Sequence, residues 1–369
     1  MQNILRESIK MFQRKIKIAC ILPSRIGDIV FAFPAIRSLK NTLKNSKLTF
    51  FVDKRYKDLV ELNPDIDEII DFDFKSLKKP INILKAYLSF RKYKFDIVFD
   101  MQGYLKSSLL VLAFKAKYKF GTSPSPKEPA YLFSKFVYSY KELENVHRVD
   151  RHIKSLEKIF EKYLKIPFYK DIKFLYSFKE NEKKEFLKKI KNYLSSKKNY
   201  YLLFLGGGWK SRRWGYQNYL NLALKLKQNF NLTPIVVGGA ASGSPEDEEY
   251  ELFFQEAKKV NLEYKSFYKK LSLKEFVYLC KYAKKFNIKF FIGNDAGATH
   301  ISWSSSLYTF EILGPTSPNV VRPYISGEYI YKNLPCSPCR NRDCQSLECM
   351  KKIKVEEVFD KISSFLASK

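Results

Sequence analysis

Lys289-Phe290-Phe291-Ile292-Gly293-Asn294-Asp295-Ala296-Gly297-Ala298-Thr299-His300-Ile301-Ser302-Trp303 reads as an apolar strand that turns through two glycines into a helix. Such a turn aims backbone N–H groups at whatever occupies the helix mouth, and the helix dipole favours an anion there. Asp295 and His300 then stand at the carboxyl end of a strand, where open α/β sheets bind ligands. The plain alternative is an ordinary strand–helix turn with an Asp-Ala-Gly bend.

Two further stretches repeat the pattern. Lys15 to Leu22 is a short apolar strand, Pro23-Ser24-Arg25-Ile26-Gly27-Asp28 a turn, and Ile29 to Leu39 a helical segment. A carboxylate at a helix mouth is stabilised by the N-terminal dipole and can accept a proton, so Asp28 is a candidate base as well as a candidate N-cap. Arg25 adds a cation that a plain cap does not need. Tyr201 to Leu205 is a third strand, running into Gly206-Gly207-Gly208-Trp209-Lys210-Ser211-Arg212-Arg213-Trp214. Its glycines permit close backbone approach to a ligand and its cations suit a diphosphate, although a solvated basic loop would read the same way. The spacing is neither a Walker loop nor G-x-G-x-x-G.

Composition bounds the rest. A chain of 369 residues fits two domains of ordinary size, and 45% hydrophobic content is globular. No run approaches the about 20 apolar residues of a membrane span, and no signal peptide is read at the N-terminus, so a cytoplasmic location is expected. A net charge of +29 predicts attraction to anionic surfaces, whether acidic lipid, phosphorylated substrate or nucleic acid. No helix-turn-helix or aromatic RNA-binding pattern supports the last of these, and no nucleic acid is expected as a partner.

Strands at Leu48–Val52 and Phe95–Asp100 alternate with helical stretches in the first half, and Pro234–Val237 joins Tyr201–Leu205 and Phe290–Ile292 in the second. That alternation predicts an α/β fold with parallel sheets covered on both faces. Pro124 to Pro129 reads as a loop, and Lys179 to Lys198 as a charged helical stretch that ends the first domain or links it to the second. Val355 to Ala367 is amphipathic, with Val358, Phe359, Ile362 and Phe365 on one face.

Taken in order, these motifs resemble glycosyltransferase family 9, the ADP-heptose:lipopolysaccharide heptosyltransferases. The resemblance rests on Arg25-Ile26-Gly27-Asp28-Ile29-Val30 with Pro34 to Arg37, on Asp100-Met101-Gln102-Gly103 with Lys106-Ser107-Ser108, and on His147-Arg148-Val149-Asp150-Arg151. It continues through Ser211-Arg212-Arg213-Trp214, Asn294 to His300, and Cys336-Ser337-Pro338-Cys339 with Cys344 and Cys349-Met350. The fold it implies is GT-B: two Rossmann-like doubly wound domains facing a cleft, 1–185 for the acceptor and 186–350 for the nucleotide sugar. A terminal helix, 351–369, is expected to pack back on the first domain.

The activity it implies is inverting, metal-independent transfer of heptose from ADP-heptose to the lipid A–Kdo inner core, at the inner face of the inner membrane. Asp28 would be the base. Arg212, in place of the lysine usual in the family, would hold the phosphates with Arg213 and Trp214, and Ala296, Gly297 and Thr299 would offer backbone N–H groups. Asp295 would orient the heptose and His300 would stand near the phosphates. Glu246, in the Gly/Ser-rich segment 238–247, would meet the ribose. Arg25, Gln102, Lys106, His147 and Arg151 would contact the acceptor, although Gln102 and Asp100 could equally satisfy backbone at a strand end. No cofactor is expected for catalysis. The alternatives are a family member with another donor or acceptor, and a non-enzymatic binder of anionic glycan or nucleic acid.

Cys20 and Cys280 lie in apolar runs and read as buried. Cys336, Cys339, Cys344 and Cys349 form a cluster for which a structural Zn or Fe site, reduced thiols and disulfides all remain open.

Overall fold

The computed structural model describes residues 14–124, 134–239 and 247–368. The chain divides into two compact units, Met1–Ser177 and Phe178–Lys369, each built on a six-stranded sheet.

The first sheet contains β1 (Ile16–Ile21), β2 (Ser46–Asp53), β3 (Glu68–Phe72), β4 (Lys94–Asp100), β5 (Lys115–Gly121) and β6 (Lys135–Phe136). They lie in the order β3-β2-β1-β4-β5-β6 and every pairing is parallel. β1 is buried along almost its whole length, as a central strand covered on both faces must be, so it shows a continuous apolar run rather than alternation. The covering helices include α1 (Ile26–Thr42), α2 (Pro80–Phe90), α3 (Leu105–Ala113) and α4 (Arg148–Ile159). α1 continues past Pro34 despite the backbone bond a proline removes, because Ile29 to Ile36 are all buried against their neighbours.

The second unit repeats the plan. Its strands are β7 (Asn199–Phe204), β8 (Leu232–Val237), β9 (Lys265–Ser266), β10 (Ile288–Asn294), β11 (Thr309–Leu313) and β12 (Gly327–Tyr331). Read from β9 the order is β9-β8-β7-β10-β11-β12, again parallel throughout. The principal helices are α5 (Glu180–Lys191), α6 (Tyr216–Phe230), α7 (Asp247–Lys259), α8 (Leu273–Lys281), α9 (Gly297–Ser304) and α10 (Val355–Ala367). Both sheets thus have the doubly wound 3-2-1-4-5-6 order. Its switch points lie between β1 and β4 in one unit and between β7 and β10 in the other, which is where such sheets open a ligand crevice.

Two boundaries differ from expectation. The first unit ends at Ser177, so α5 belongs to the second unit, where Phe186 meets Tyr278 of α8 edge-on with ring centroids 5.5 Å apart. The terminal helix α10 turns its apolar face into its own unit. Val355, Val358, Ile362 and Phe365 complete the core of the second unit beside α6, and Phe365 stacks on Tyr308 at 4.0 Å. Most of the Pro124–Pro129 loop lies outside the described residues. Among the described residues, no helix is long and apolar enough to cross a membrane.

Candidate active site

In the first unit the switch point gathers Arg25, Asp28 and Gln102. Asp28 is the third residue of α1, whose N-cap is Arg25 and not Asp28; its Oδ2 accepts the backbone N–H of Arg25 at 3.3 Å, as the N3 carboxylate of a capping box does. Its Oδ1 is paired with the Arg148 guanidinium from α4, and both side chains are about one quarter exposed, at 28% and 26%. One carboxylate oxygen is therefore oriented by an ion pair and the other by backbone, more than a cap alone requires. His152 follows one turn after Arg148 on the same face of α4. Burial pushes its imidazole down to about 4, against the opposing pull of Asp28, and Nδ1 sits 2.8 Å from Thr122 Oγ1.

Asp100 shapes the second loop at this point. Its carboxylate accepts the N–H groups of Gln102 (3.1 Å) and Gly103 (2.9 Å) and the Ser108 hydroxyl, and burial raises its pKa. Gly103 has φ +70°, and a Cβ there would lie 1.9 Å from the Ser123 carbonyl oxygen. The turn places Gln102, whose Nε2 donates to Ser24 Oγ at 3.0 Å while its buried Oε1 has no hydrogen-bond partner among the described residues. Lys106 is half-buried and Arg25 exposed.

His147 and Arg151 are placed differently from the acceptor-contacting role expected of them. His147 caps α4, its Nδ1 accepting the Val149 N–H at 3.2 Å. Buried Arg151 donates to the carbonyls of Val146 (3.0 Å) and Glu144 (2.8 Å). Both brace the loop that leads into α4. The residues that sequence reasoning passed over are Arg148 and His152, although their four-residue spacing on a helix was a usable signal.

In the second unit Asn294 is the hub of the switch point. Its Nδ2 donates to the carbonyls of Leu205 and Gly206, both at 2.9 Å. Its Oδ1 accepts from the Trp214 N–H (3.1 Å) and the Tyr219 hydroxyl (2.9 Å). A single side chain thus pins the glycine loop after β7 to the end of β10. Trp214 is itself buried, with Nε1 donating to the Ile353 carbonyl at 2.9 Å, so it anchors this loop instead of offering a ring to a ligand.

Asp295 and Arg212 form the charged centre. Arg212 Nη1 lies 3.3 Å from Asp295 Oδ2, and its guanidinium stacks 3.8 Å from the centre of the Trp209 ring. Arg342 approaches the same ring at 4.5 Å, a contact with no counterpart in the motif reading. Burial alone would raise the Asp295 carboxyl, but Arg212 and His300 hold it well below the usual carboxylate range. Trp303 Nε1 donates to His300 Nδ1 (3.3 Å), which leaves Nε2 to carry a proton toward Asp295 Oδ1 at 3.4 Å. Ala296 is the N-cap of α9 and, among the described residues, no side chain caps it, so the N–H groups of Gly297, Ala298 and Thr299 form a helix mouth of the kind that suits an anion. Arg213 donates from Nε to the Gly207 carbonyl (3.2 Å). Glu246 lies outside the described residues.

A further acid, Glu311 on β11, was not anticipated. It is fully buried, neither carboxylate oxygen has a hydrogen bond among the described residues, and Oε1 is 3.8 Å from His300 Nδ1. Asp295, His300 and Glu311 bring ligand-type atoms within 4.8 Å of one another, the sole such triad among the described residues. The Arg212 cation already stands on Asp295, so a proton on Glu311 balances the cluster. Burial, reinforced by Asp295, raises its pKa well above the ordinary glutamate value. The folded chain then binds a proton that the unfolded chain releases above about pH 4.5, so wild-type stability falls as pH rises through the interval between the two values, by at most about 1.4 kcal/mol per pH unit. Glu311→Gln removes that slope. Thermal melts at pH 5 and pH 8 should show the variant gaining on wild type at the higher pH; a constant difference would show that Glu311 is ionised in the folded state.

Cys20 and Cys280 are buried, as expected, and all six cysteines are free thiols in the structure. Cys349 is buried, and burial together with the charges of Cys339, Cys336 and Cys344 raises its thiol. The sulfurs do not, however, close to the mutual ligand distance that defines the triad above. The segment instead braces the donor loop. Cys339 and Arg340 donate backbone N–H groups to the Pro315 carbonyl (3.2 and 2.8 Å), and Ser211 Oγ donates to the Asn341 carbonyl at 2.8 Å.

Known proteins share this architecture. Residues 83–350 match the family model for glycosyltransferase family 9 (heptosyltransferase). Lipooligosaccharide heptosyltransferase 2 of Campylobacter jejuni serotype O:6 is 26% identical over 356 residues, 94% of this chain and 98% of that protein. A solved family 9 glycosyltransferase from Veillonella parvula has a TM-score of 0.74 at 18% identity, covering 96% of this chain and 98% of that one. The structure of E. coli ADP-heptose lps heptosyltransferase II gives 0.72 at 17%, covering 96% and 99%. These likenesses carry the GT-B fold class, and the family match covers well over half of the chain. The protein belongs to glycosyltransferase family 9 and is a glycosyltransferase.

Proposed function

We propose that this glycosyltransferase moves a heptose from ADP-heptose to the inner core of lipopolysaccharide, with inversion and without a catalytic metal. The observation that carries the reading is the Arg212–Asp295–His300 cluster at the mouth of α9, a preorganised cationic and N–H-lined cradle suited to a diphosphate. The heptose and the lipopolysaccharide are taken from the Campylobacter lipooligosaccharide heptosyltransferase and the E. coli ADP-heptose lps heptosyltransferase that the chain resembles.

In the proposed step the acceptor hydroxyl attacks the anomeric carbon as the bond to the diphosphate oxygen breaks. Asp28 takes the hydroxyl proton, and the electron pair leaves with ADP. Arg212 and the first-turn N–H groups of α9 stabilise the charge that develops on the departing phosphate. Asp295, held ionised by Arg212, offers its carboxylate to the heptose hydroxyls. On the acceptor side Arg25, Gln102 and Lys106 have polar atoms to offer a Kdo carboxylate, whereas those of His147 and Arg151 engage their own loop. A structural Zn or Fe ion at Cys336, Cys339, Cys344 and Cys349 would require their sulfurs to draw together. The net charge of +29 favours work at an anionic membrane surface, where a lipid-linked acceptor resides.

Calorimetric titration with ADP, UDP, GDP and CMP in the presence of EDTA tests the donor. Micromolar ADP binding with the other three silent is expected. Preference for UDP or GDP would retain the glycosyltransferase and discard ADP-heptose.

A further inference from the structure

The surface helices of an α/β unit ordinarily turn an apolar stripe inward and a polar face to water. α2 and its neighbour α3 do not. The inner face of α2 is accounted for: Ile83, Ala86, Tyr87 and Phe90 pack on the core formed with Phe51, Val98 and Phe114. On its outer face Ile81, Leu84 and Leu88 recur at helical spacing and are 55%, 51% and 54% exposed. α3 buries Ser107, Ser108, Leu110 and Val111, and leaves Leu112 38% exposed, with Tyr104 at its N-cap 42% exposed. Of ten large hydrophobic residues exposed to this degree among the described residues, five lie on this one pair of helices. Folding does not require them there, since the core is closed beneath.

The charge around the stripe is one-sided. From Phe74 to Phe95 the chain has six lysines, one arginine and no acidic residue, and from Met101 to Lys127 five more lysines and again no acid. Lys79, Lys85, Arg91 and Lys92 are all exposed beside the aliphatic row. Aliphatic side chains ringed by long cationic ones suit the boundary between acyl chains and anionic headgroups, where lysine and arginine extend toward phosphate and the apolar residues dip inward. A second copy of the chain would bring the same cations face to face, which argues against a self-associating patch.

We propose that the outer faces of α2 and α3 are the surface by which this protein docks on an anionic lipid bilayer, with Ile81, Leu84 and Leu88 entering the acyl region. Tyr104 and Lys106 at the start of α3 adjoin Gln102, so this surface runs into the acceptor-side loop of the first unit. The purpose of docking rests on the proposed lipid-linked acceptor. The docking itself is measured without donor or acceptor, so its failure and the failure of the donor titration are separate results.

The experiment is co-sedimentation of the full chain with vesicles of phosphatidylcholine alone and with about one third phosphatidylglycerol, alongside Ile81→Glu/Leu84→Glu/Leu88→Glu and the milder Ile81→Ser/Leu84→Ser/Leu88→Ser. Wild type should bind the anionic vesicles, weaken as salt rises, and bind neutral vesicles at least tenfold less. Both triple variants should lose tenfold or more on anionic vesicles while keeping wild-type ADP affinity and melting temperature. Leu84→Trp should show a blue-shifted emission on adding anionic vesicles, quenched by brominated acyl chains. Unchanged binding by the serine variant would mean that charge alone attracts the protein and would overturn the proposal. So would a wild-type dimer in vesicle-free light scattering that the triple variant converts to monomer, because the patch would then be covered by a second copy.

Discussion

Asp28→Asn is expected to lower kcat by about 10²–10⁴-fold, roughly 3–5 kcal/mol in activation free energy, with ADP affinity unchanged. The substitution preserves size and leaves an oxygen able to accept the Arg25 N–H, which now reaches Oδ2 at 3.3 Å. The helix start should therefore survive with at most about 1 kcal/mol of lost capping. What disappears is an oxygen able to accept the acceptor's proton, together with the charge that pairs with Arg148. Because Asp28 lies in the first unit and the proposed diphosphate cradle in the second, the defect should fall on turnover and leave nucleotide binding intact. Single-turnover kinetics with saturating donor and calorimetry with ADP separate the two. A variant with near-normal turnover would dismiss Asp28 as the base and return it to the role of a cap.

Arg148 bears on the same test. Its guanidinium orients one Asp28 oxygen. In Arg148→Ala the buried His152 loses a cationic neighbour, so its pKa should move upward from about 4, which a pH titration of its ring proton by NMR would register.

Much of this arrangement is legible in the chain, and the illegible parts have a common cause. The strand–turn–helix units at Lys15–Leu39, Tyr201–Trp214 and Phe290–Trp303 follow from local patterning, because glycines and short apolar runs act over a few residues. The 3-2-1-4-5-6 order of each sheet does not, since it depends on which strands pair across the unit. The terminal helix shows the same limit: periodicity gives its apolar face, while nothing local says that this face closes the second unit's core beside α6. Glu311 was hidden inside Thr309-Phe310-Glu311-Ile312-Leu313, a run that reads as an ordinary strand. A lone acid at the centre of a fully buried strand was in fact the signal, since an ionised carboxylate there needs a partner or a proton. The cation count around Trp209 was visible for Arg212 and Arg213, but Arg342 reaches that ring only because the cysteine loop folds onto Pro315 and Ser211.

Arg212→Ala should produce two separable losses. The first is in nucleotide binding: removing a guanidinium that faces the diphosphate cradle should weaken ADP by about 30–100-fold, the range of a charge-assisted contact. The second is in stability. Asp295 has a side chain only 3% exposed, and without Arg212 its charge is left buried beside His300 alone. Losing one partner of such a pair costs about 3–5 kcal/mol at neutral pH. The pH dependence identifies the cause. In wild type the depressed Asp295 pKa contributes stability that is present above the unfolded value, near 4, and is lost only as pH falls toward its much lower folded value. In Arg212→Ala burial raises the carboxyl instead, so the deficit should be largest near pH 7 and shrink toward pH 4, where Asp295 can take up a proton. Arg212→Ala/Asp295→Asn provides the control: it should recover most of the lost melting temperature and none of the ADP affinity. If the double variant recovers both, Arg212 serves only to neutralise Asp295; if the single variant keeps wild-type ADP affinity, the phosphate lies elsewhere. Arg212→Lys should retain the stability and part of the affinity, because a lysine supplies the charge without the planar fork that stacks on Trp209.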